Sequence, residues 1–228
     1  MKNVFIGLLA VASILLAYMC YRSVMNPIEF AEQKAIRDKA VIEQLVNIRK
    51  AQIAHKEATG EYATSMKQLV KFVDKGSIPN IVKKGELTDD QMKAGLTEEL
   101  AIRLLPEDAA KYGIGNYDSF VENFRRDTVL VGVKEKVFHD VNFDAKSIAV
   151  VPFGEGQEFL MTTNNKFMTS SNVEVPLFEA CIPYDVYLKG LNKQEIINLN
   201  EKANTLGKYA GLKVGDVTSP NNNSGNWE

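Results

Sequence analysis

The chain has 228 residues, with 27 Lys and Arg against 29 Asp and Glu, and a formal net charge of −2. A balance this close to neutral provides no overall field to attract nucleic acid, so a nucleic-acid partner is not expected. Its two cysteines, Cys20 and Cys181, stand in an apolar stretch and near the other end of the chain, so no disulfide within a domain is predicted.

Residues 4–21 carry no charge and predict a membrane-spanning helix. About 18 residues at helical rise extend ~27 Å, close to the thickness of a bilayer's hydrocarbon core. A cleaved signal peptide would end in small residues, and a lipidated Cys20 would follow a small residue, whereas Met19 precedes it here. Tyr18 and Arg22 suit the membrane interface. We therefore expect an uncleaved anchor that contacts membrane lipid through residues 4–21.

The orientation of this anchor has two readings. Arg22 and Lys34 lie on the long side of the span and Lys2 on the short side, which by the positive-inside rule would place the large domain in the cytoplasm. A very short N-terminal tail is instead typical of a signal-anchor whose N-terminus stays inside. We favour a single-pass protein with an extracytoplasmic large domain, periplasmic or on the surface.

A long helix is predicted over residues 28–59, which contain no Gly or Pro. Pro27 suits its first position and Asn26 its N-cap. An apolar stripe through Leu45 and Ile48 predicts that the second half packs on a sheet. Between residues 29 and 61, six acidic residues balance six basic ones, so there is no basic stripe for nucleic acid.

The first half of this helix is poor in large apolar residues and predicts an exposed stalk that serves as an assembly surface. Ala31 and Ala35 are small residues spaced i, i+4, which allows a neighbouring helix to approach closely. Lys34 and Arg37 could pair with acidic residues on the same helix of a second copy.

The N-terminal region combines an apolar helix that continues into an amphipathic one, a turn at Gly60-Glu61-Tyr62, and a short helix bearing Leu69. In this order of elements it resembles type IV pilins and the pseudopilins of type II secretion. The resemblance covers about the first 75 residues and implies a filament or secretion-system subunit built around the long helix. The family's basic leader and Phe-Thr-Leu-x-Glu run are missing, since Leu8-Leu9-Ala10 follows Gly7, so a generic membrane-anchored helix stays open as the alternative.

Further helices and a sheet are predicted beyond residue 64. Helices are expected over residues 65–73, from the capping-box pattern at Thr88, from Thr97 to 105, and from Asn192 to a stop at Gly207. Residues 81–112 are expected to be helical and loop-rich. Predicted strands cover residues 128–133, 137–143, 147–153, 157–163, 173–182 and 212–217. Turn signals at Asn164-Asn165 and at 154–156 favour antiparallel hairpins.

The sequence shows no catalytic constellation. His55 and His139 lack a partner at a metal-ligand spacing, and on a strand His139 and Asp140 would point to opposite faces. Cys181 has no Cys-x-x-Cys partner. We expect no metal site, no cofactor and no enzymatic activity.

These patterns predict an α+β fold: a transmembrane helix continuing into a long amphipathic helix, packed on an antiparallel sheet, with a late helix. The expected organisation is a membrane anchor (1–26), a long helix and short second helix (27–79), a mixed α+β domain (80–218) and a flexible Asn-rich tail (219–228) containing Trp227. The expected function is a structural or assembly protein of the cell envelope, pilin- or pseudopilin-like, with protein partners or self-assembly. A tethered binding module for a peptide or glycan is the alternative, and an enzyme whose residues meet only in the fold is a more distant one.

Overall fold

One unbroken helix organises the protein. The structure is a computed structural model that describes residues 2–228, with side chains described from Ile6 onward. Helix α1 runs from Lys2 to Thr59 with Pro27 inside it, so the predicted new start at Asn26 is wrong. Proline removes one helical hydrogen bond, a cost of ~3 kcal/mol. The uninterrupted run of helix-forming residues on both sides offsets that cost, and Gly60 ends the helix with a φ of 85°.

The remaining elements are short. The helices are α2 (Met66–Lys75), α3 (Asp89–Lys93), α4 (Glu98–Ile102), α5 (Tyr117–Asn123), α6 (Val133–Phe138), α7 (Tyr184–Tyr187) and α8 (Lys193–Thr205), with 3-10 turns at Pro106–Tyr112 and Ala145–Ile148. The strands are β1 (Ser77–Lys84), β2 (Arg125–Gly132), β3 (Leu160–Met168), β4 (Glu174–Pro183) and β5 (Gly211–Gly215). The predicted α+β class is confirmed, with two antiparallel sheets and the late helix in place.

The main core lies between α1 and a three-stranded sheet of order β3-β4-β5. Leu45 and Ile48 on α1 have no exposed surface, as predicted from the apolar stripe. Phe178 and Ile182 on β4 and Val214 on β5 belong to the same core. Helix α2 covers another side of α1 through Leu69 and Val73, with Ser65 as its N-cap.

A second, smaller unit projects from this body. Strands β1 and β2 form a separate two-stranded sheet in which Ser77 pairs with Gly132 and Lys84 with Arg125. The sheet is anchored at its base by Ile78, which is 2% exposed. Residues 85–124 connect its far end and pack around their own small core, which includes Leu96 and Phe124.

Two predicted strands are not strands. Residues 137–143 contain the end of α6 and a reversal at His139, whose φ is 56°. This reversal stacks Phe138 on Phe143, with ring centroids 4.0 Å apart, and so replaces the sheet contacts that the alternating pattern suggested. Residues 147–153 begin in the 3-10 turn at Ala145–Ile148. The positive φ of Phe153 at the other end of the segment, 61°, is incompatible with a strand.

Two other boundaries differ. Asn164 and Asn165, predicted as a turn, lie inside β3 beside an irregularity in its pairing with β4. Asn165 instead accepts a hydrogen bond from the Tyr62 amide and donates one to the Tyr62 carbonyl, both at 3.0 Å. The hairpin reverses at Asn172, whose φ is 59°.

The last ten residues, predicted as a flexible tail, lie against the domain. The backbone amide of Asn226 donates to the Lys213 carbonyl, and the amide of Lys213 donates to the side-chain oxygen of Asn226. Gly225 pairs with Val214 in an antiparallel bridge. Trp227 packs on the main core and Glu228 pairs with Arg49 at 2.6 Å. The prediction failed because the segment's polar side chains substitute for strand hydrogen bonds along the free edge of β5.

Candidate assembly surface

The part of α1 from Ile6 to Val24 is uncovered by the rest of the chain. The helix is long and apolar enough to cross a membrane, judged by length and composition, and none of its most apolar window is buried by the rest of the chain. Exposed apolar side chains such as Leu8, Ile14 and Leu16 project on every side. An apolar surface of this kind requires lipid or other apolar helices around it.

An exposed stripe continues from this span into the charged part of α1. Ala31 and Ala35 are exposed, as the close-approach hypothesis requires. Val24 and Ile28, about two turns and one turn before Ala31 on the same face, are 63% and 46% exposed. Residues spaced i, i+4, i+7 and i+11 lie on one helix face, so these four form a continuous surface of small and apolar side chains.

Lys34 belongs to a different set of contacts. Its ammonium pairs with Asp38 one turn further along α1 and lies 5.5 Å from the centroid of the Tyr184 ring. The other carboxylate oxygen of Asp38 accepts a hydrogen bond from the Tyr187 hydroxyl at 2.7 Å. Burial raises the pKa of Tyr187, and the negative charge of Asp38 raises it further, so the hydroxyl stays a donor. Lys34 therefore helps to attach α1 to the domain.

Arg37 has the same role. Its guanidinium donates to the carbonyls of Tyr187 and Lys189, both at 2.8 Å, and lies 5.0 Å from the centroid of the Phe153 ring. These contacts within the chain engage both side chains that were predicted to pair with a second copy. The sequence did not indicate these contacts because their partners lie about 150 residues away.

The first half of the helix predicted over residues 28–59, which was expected to be an exposed stalk, is covered by the domain on one side. Phe30 is 8% exposed and belongs to the main core. A cleft of about 370 Å³ lies beside it, lined on one side by α1 residues that include Arg22 and Glu29 and on the other by the loop at Leu191. Phe30 lies nine residues after Tyr21, so the domain reaches to within ~14 Å of the apolar span at helical rise. The face that carries Ala31 and Ala35 remains open, and Glu29, Gln33 and Ile36 are exposed as well.

His55 has a structural environment. It is 5% exposed, with Nδ1 2.7 Å from the Glu61 carbonyl and the ring packed edge-on against Phe72. Beside it, Gln52 is fully buried; its amide donates to the Ala63 carbonyl at 3.0 Å and accepts from the Ala63 amide at 2.8 Å. These side chains fix the turn after α1, which sequence reasoning had identified only by its glycine.

The other residues considered for chemistry do not come together. His139 and Asp140 occupy a helix end and a turn, so the reason given for their separation, a strand, is wrong. Burial raises the pKa of the Cys181 thiol, which lowers its thiolate fraction and its reactivity. Within residues 2–228, no group of three or more His, Cys, Asp or Glu side chains is placed to hold a metal ion.

Two surfaces were missed by sequence reasoning. One is a groove of about 520 Å³ between α2 and residues 144–158, floored by apolar side chains that include Val70 and Ala149. The other is the unit at residues 85–124, carried on the β1–β2 sheet. The acidic composition of residues 85–124 was the available signal for the second.

Comparison with protein-family models, with curated proteins and with solved structures gave no match for this chain.

Proposed function

We propose that the protein is a membrane-anchored structural subunit of a cell-envelope assembly, pilin- or pseudopilin-like, with its large domain outside the cytoplasm. In this proposal α1 joins copies to one another and has no catalytic role. The observation that carries it is the division of one continuous helix into two regions. Residues of its second half, such as Leu45, form the centre of the domain core, while the side chains of its apolar part from Ile6 to Tyr21 are exposed.

The contact between copies is assigned to the exposed stripe of Val24, Ile28, Ala31 and Ala35. Small side chains allow two helix backbones to come close, so that packing and backbone contacts hold them together. Lys34 and Arg37 are not part of this contact, because both are engaged with their own domain. The proposal therefore rests on shape and apolar surface and not on charge pairing.

Cysteine crosslinking in membranes tests the proposal. In a Cys20→Ser background, Ala31→Cys and Ala35→Cys should each give dimers on mild oxidation. Glu29→Cys is the matched control, since Glu29 is also exposed but lies on the opposite side of the helix. Replacing Ala31 and Ala35 together by Leu should disturb assembly and leave the melting temperature of the domain unchanged.

A tethered binding module is the second candidate, favoured by the groove beside α2. It predicts no crosslinks at residues 31 and 35 and a monomer in mild detergent. That pair of results would contradict the assembly proposal.

A further inference from the structure

The β1–β2 sheet forms an arm that holds residues 85–124 away from the main body. Each strand has eight residues, so the arm is ~26 Å long at the rise of a β-strand. Beyond its buried base, apolar side chains are exposed on both faces: Ile81 is 60% exposed and Val129 is 47% exposed. Neither face is therefore packed on the domain.

We call residues 85–124 the lobe. At its junction with the arm, Arg126 pairs with Glu98 at 3.3 Å, donates to the carbonyls of Lys84 and Gly85, and stacks 4.1 Å from the centroid of the Phe124 ring. The guanidinium is shielded from solvent, with a side-chain exposure of 6%. These contacts fix the lobe at the end of the arm.

The lobe is strongly acidic. It contains nine acidic residues and three basic ones, a net charge of −6, whereas the rest of the chain has 24 basic against 20 acidic residues. Two apolar side chains of α4 are also exposed, Leu100 at 48% and Ile102 at 59%, on opposite sides of this short helix. Glu99, Glu107 and Asp108, which are near them in the sequence, are exposed and have no ion pair within the described part of the chain.

The groove beside α2 has the complementary character. Its floor is apolar and includes Met66, Val70 and Val150, the last 43% exposed. Lys67 and Lys71 stand one helical turn apart on the α2 side, and Lys146 stands on the opposite side. All three are exposed and form no salt bridge with any residue from 6 to 228.

The acidic groups of the groove are largely satisfied within the domain. Asp74 accepts a hydrogen bond from Lys134 at 2.7 Å, and Asp144 accepts one from the amide of Lys146 at 3.0 Å. The hydrogen bond and charge of Lys134, with smaller contributions from Lys75 and Lys146, lower the pKa of Asp74. Glu158 is the remaining acid at the rim. Counting Lys134, four lysines face these three carboxylates, so the groove has a net charge of +1.

We propose that the acidic lobe of one copy docks into the lysine-rimmed groove of the next copy, so that Leu100 covers Val70 and Val150. The lobe does not dock into the groove of the same copy, because the arm holds the two apart and the lobe's core includes no residue of the main body. The contact uses two different surfaces, and such head-to-tail contacts generate rings or open filaments. This inference rests on the proposed function and names the partner and the second contact of the assembly.

A crosslink between two distinguishable full-length copies in membranes tests the docking. One tagged copy carries Leu100→Cys and the other Val150→Cys, both in a Cys20→Ser background. We expect a mixed dimer from this pair and none from two copies that both carry Leu100→Cys. The matched control places Leu206→Cys, 58% exposed on the side of α8, in the second copy.

Charge reversal then tests the electrostatic part. Glu99→Lys, Glu107→Lys and Asp108→Lys in the lobe copy should reduce the crosslink at least about tenfold, because like charges facing each other across an interface cost several kcal/mol. Lys67→Glu, Lys71→Glu and Lys146→Glu in the groove copy should do the same, and combining the two sets should restore the crosslink. Reversal of Lys193, Lys202 and Lys208, which are exposed elsewhere, should have no effect. Melting curves of every variant check that the domain is folded, and added salt should weaken the wild-type crosslink.

The outcomes separate this inference from the proposed function. A crosslink through Ala31→Cys without one between residues 100 and 150 would overturn the docking and leave the helix contact standing. Absence of both would overturn both. Equal crosslinking with Leu206→Cys, or no response to charge reversal, would also overturn the docking.

Discussion

Gln52 is a polar side chain without exposed surface in the middle of an apolar core. Its amide group satisfies both backbone groups of Ala63, as a neighbouring strand would. A buried donor or acceptor that loses its partner costs ~1–3 kcal/mol. Gln52 therefore stabilises the chain reversal between α1 and α2 through these two hydrogen bonds.

Gln52→Leu should destabilise the protein by ~2–5 kcal/mol, because it keeps the side-chain volume and leaves the Ala63 amide and carbonyl without partners. Chemical denaturation of the full-length protein measures the effect. Gln33→Leu, an exposed position on the same helix, serves as the control and should change stability little. Equal stability of the two variants would show that the Ala63 groups find other partners.

Asp216 couples stability to pH at the end of β5. Its carboxylate accepts hydrogen bonds from Thr218 and pairs with Lys213, and these contacts, the hydroxyl of Thr218 first, lower its pKa from 3.8 to about 2. A lowered pKa in the folded state contributes stability that is present above the unfolded value and is lost as pH falls. That contribution should therefore disappear between pH 3.8 and about 2.

Asp216→Asn should be less stable than the wild type at neutral pH, and the difference should vanish as the pH approaches 2. Denaturant midpoints measured across that range test this. Asp127→Asn, an exposed residue of β2 with no ion pair in the described part of the chain, should show no such convergence. A constant gap at all pH values would contradict the assignment.

At the scale of elements, α1 has two faces with different energetics. Leu45 is fully buried against the sheet, and Ile53, two turns later, is 38% exposed. Leu45→Ala should lower stability by ~2–5 kcal/mol, the cost of a cavity in a packed core. Ile53→Ala should cost much less, and thermal denaturation of both variants would compare them. Similar melting temperatures would mean that the core closes around the missing side chain.

Elements with local signals were predictable from the sequence. Thr88 and Asn192 cap helices as expected, and β4 and β5 lie close to their predicted positions. Local alternation failed where aromatic stacking or a positive φ decided the backbone, as at His139 and Phe153. Strand β1 was missed because it contains Pro79, which argues against a strand inside a sheet. Proline is tolerated on a strand with a free edge, and the sequence alone does not reveal that β1 has one.

The candidate site was predictable in part for the same reason. Exposure of Ala31 and Ala35 follows from a helix stripe, and the structure agrees. The partners of Lys34 and Arg37 come from the segment around Tyr187, which only the tertiary fold brings to α1. Long-range contacts of this kind have no local pattern in the sequence.

At the scale of the whole molecule, the C-terminal segment is attached to α1 and to the turn that follows it. Arg49 on α1 pairs with Glu228 and donates to the carbonyl of Asn223, and Tyr62 bonds to the Asn223 side chain. Trp227 covers part of the core beside them. Deleting residues 219–228 should therefore lower the melting temperature and expose the edge of β5.

Glu228→Gln is the matched single change for this truncation. It removes only the charge of a partly exposed pair, and pairs of this kind contribute little to stability. The truncated protein should also aggregate more readily than Glu228→Gln, because an uncovered strand edge pairs with other chains. Light scattering during thermal denaturation compares the two, and equal behaviour would mean that the segment adds nothing to the edge.

The separation of the two hydrophobic cores has a consequence for how the protein opens. A core as small as that around Leu96 and Phe124 is marginal by itself, and only the arm ties it to the larger one. The lobe should therefore unfold as an independent cooperative unit while the α1 core stays intact. Amide hydrogens of α4 and α5 should exchange with solvent well before those around Leu45, and Arg126→Ala should widen that gap. A copy whose lobe is seated in a neighbour should lose this early exchange, so that hydrogen exchange in membranes distinguishes engaged copies from free ones.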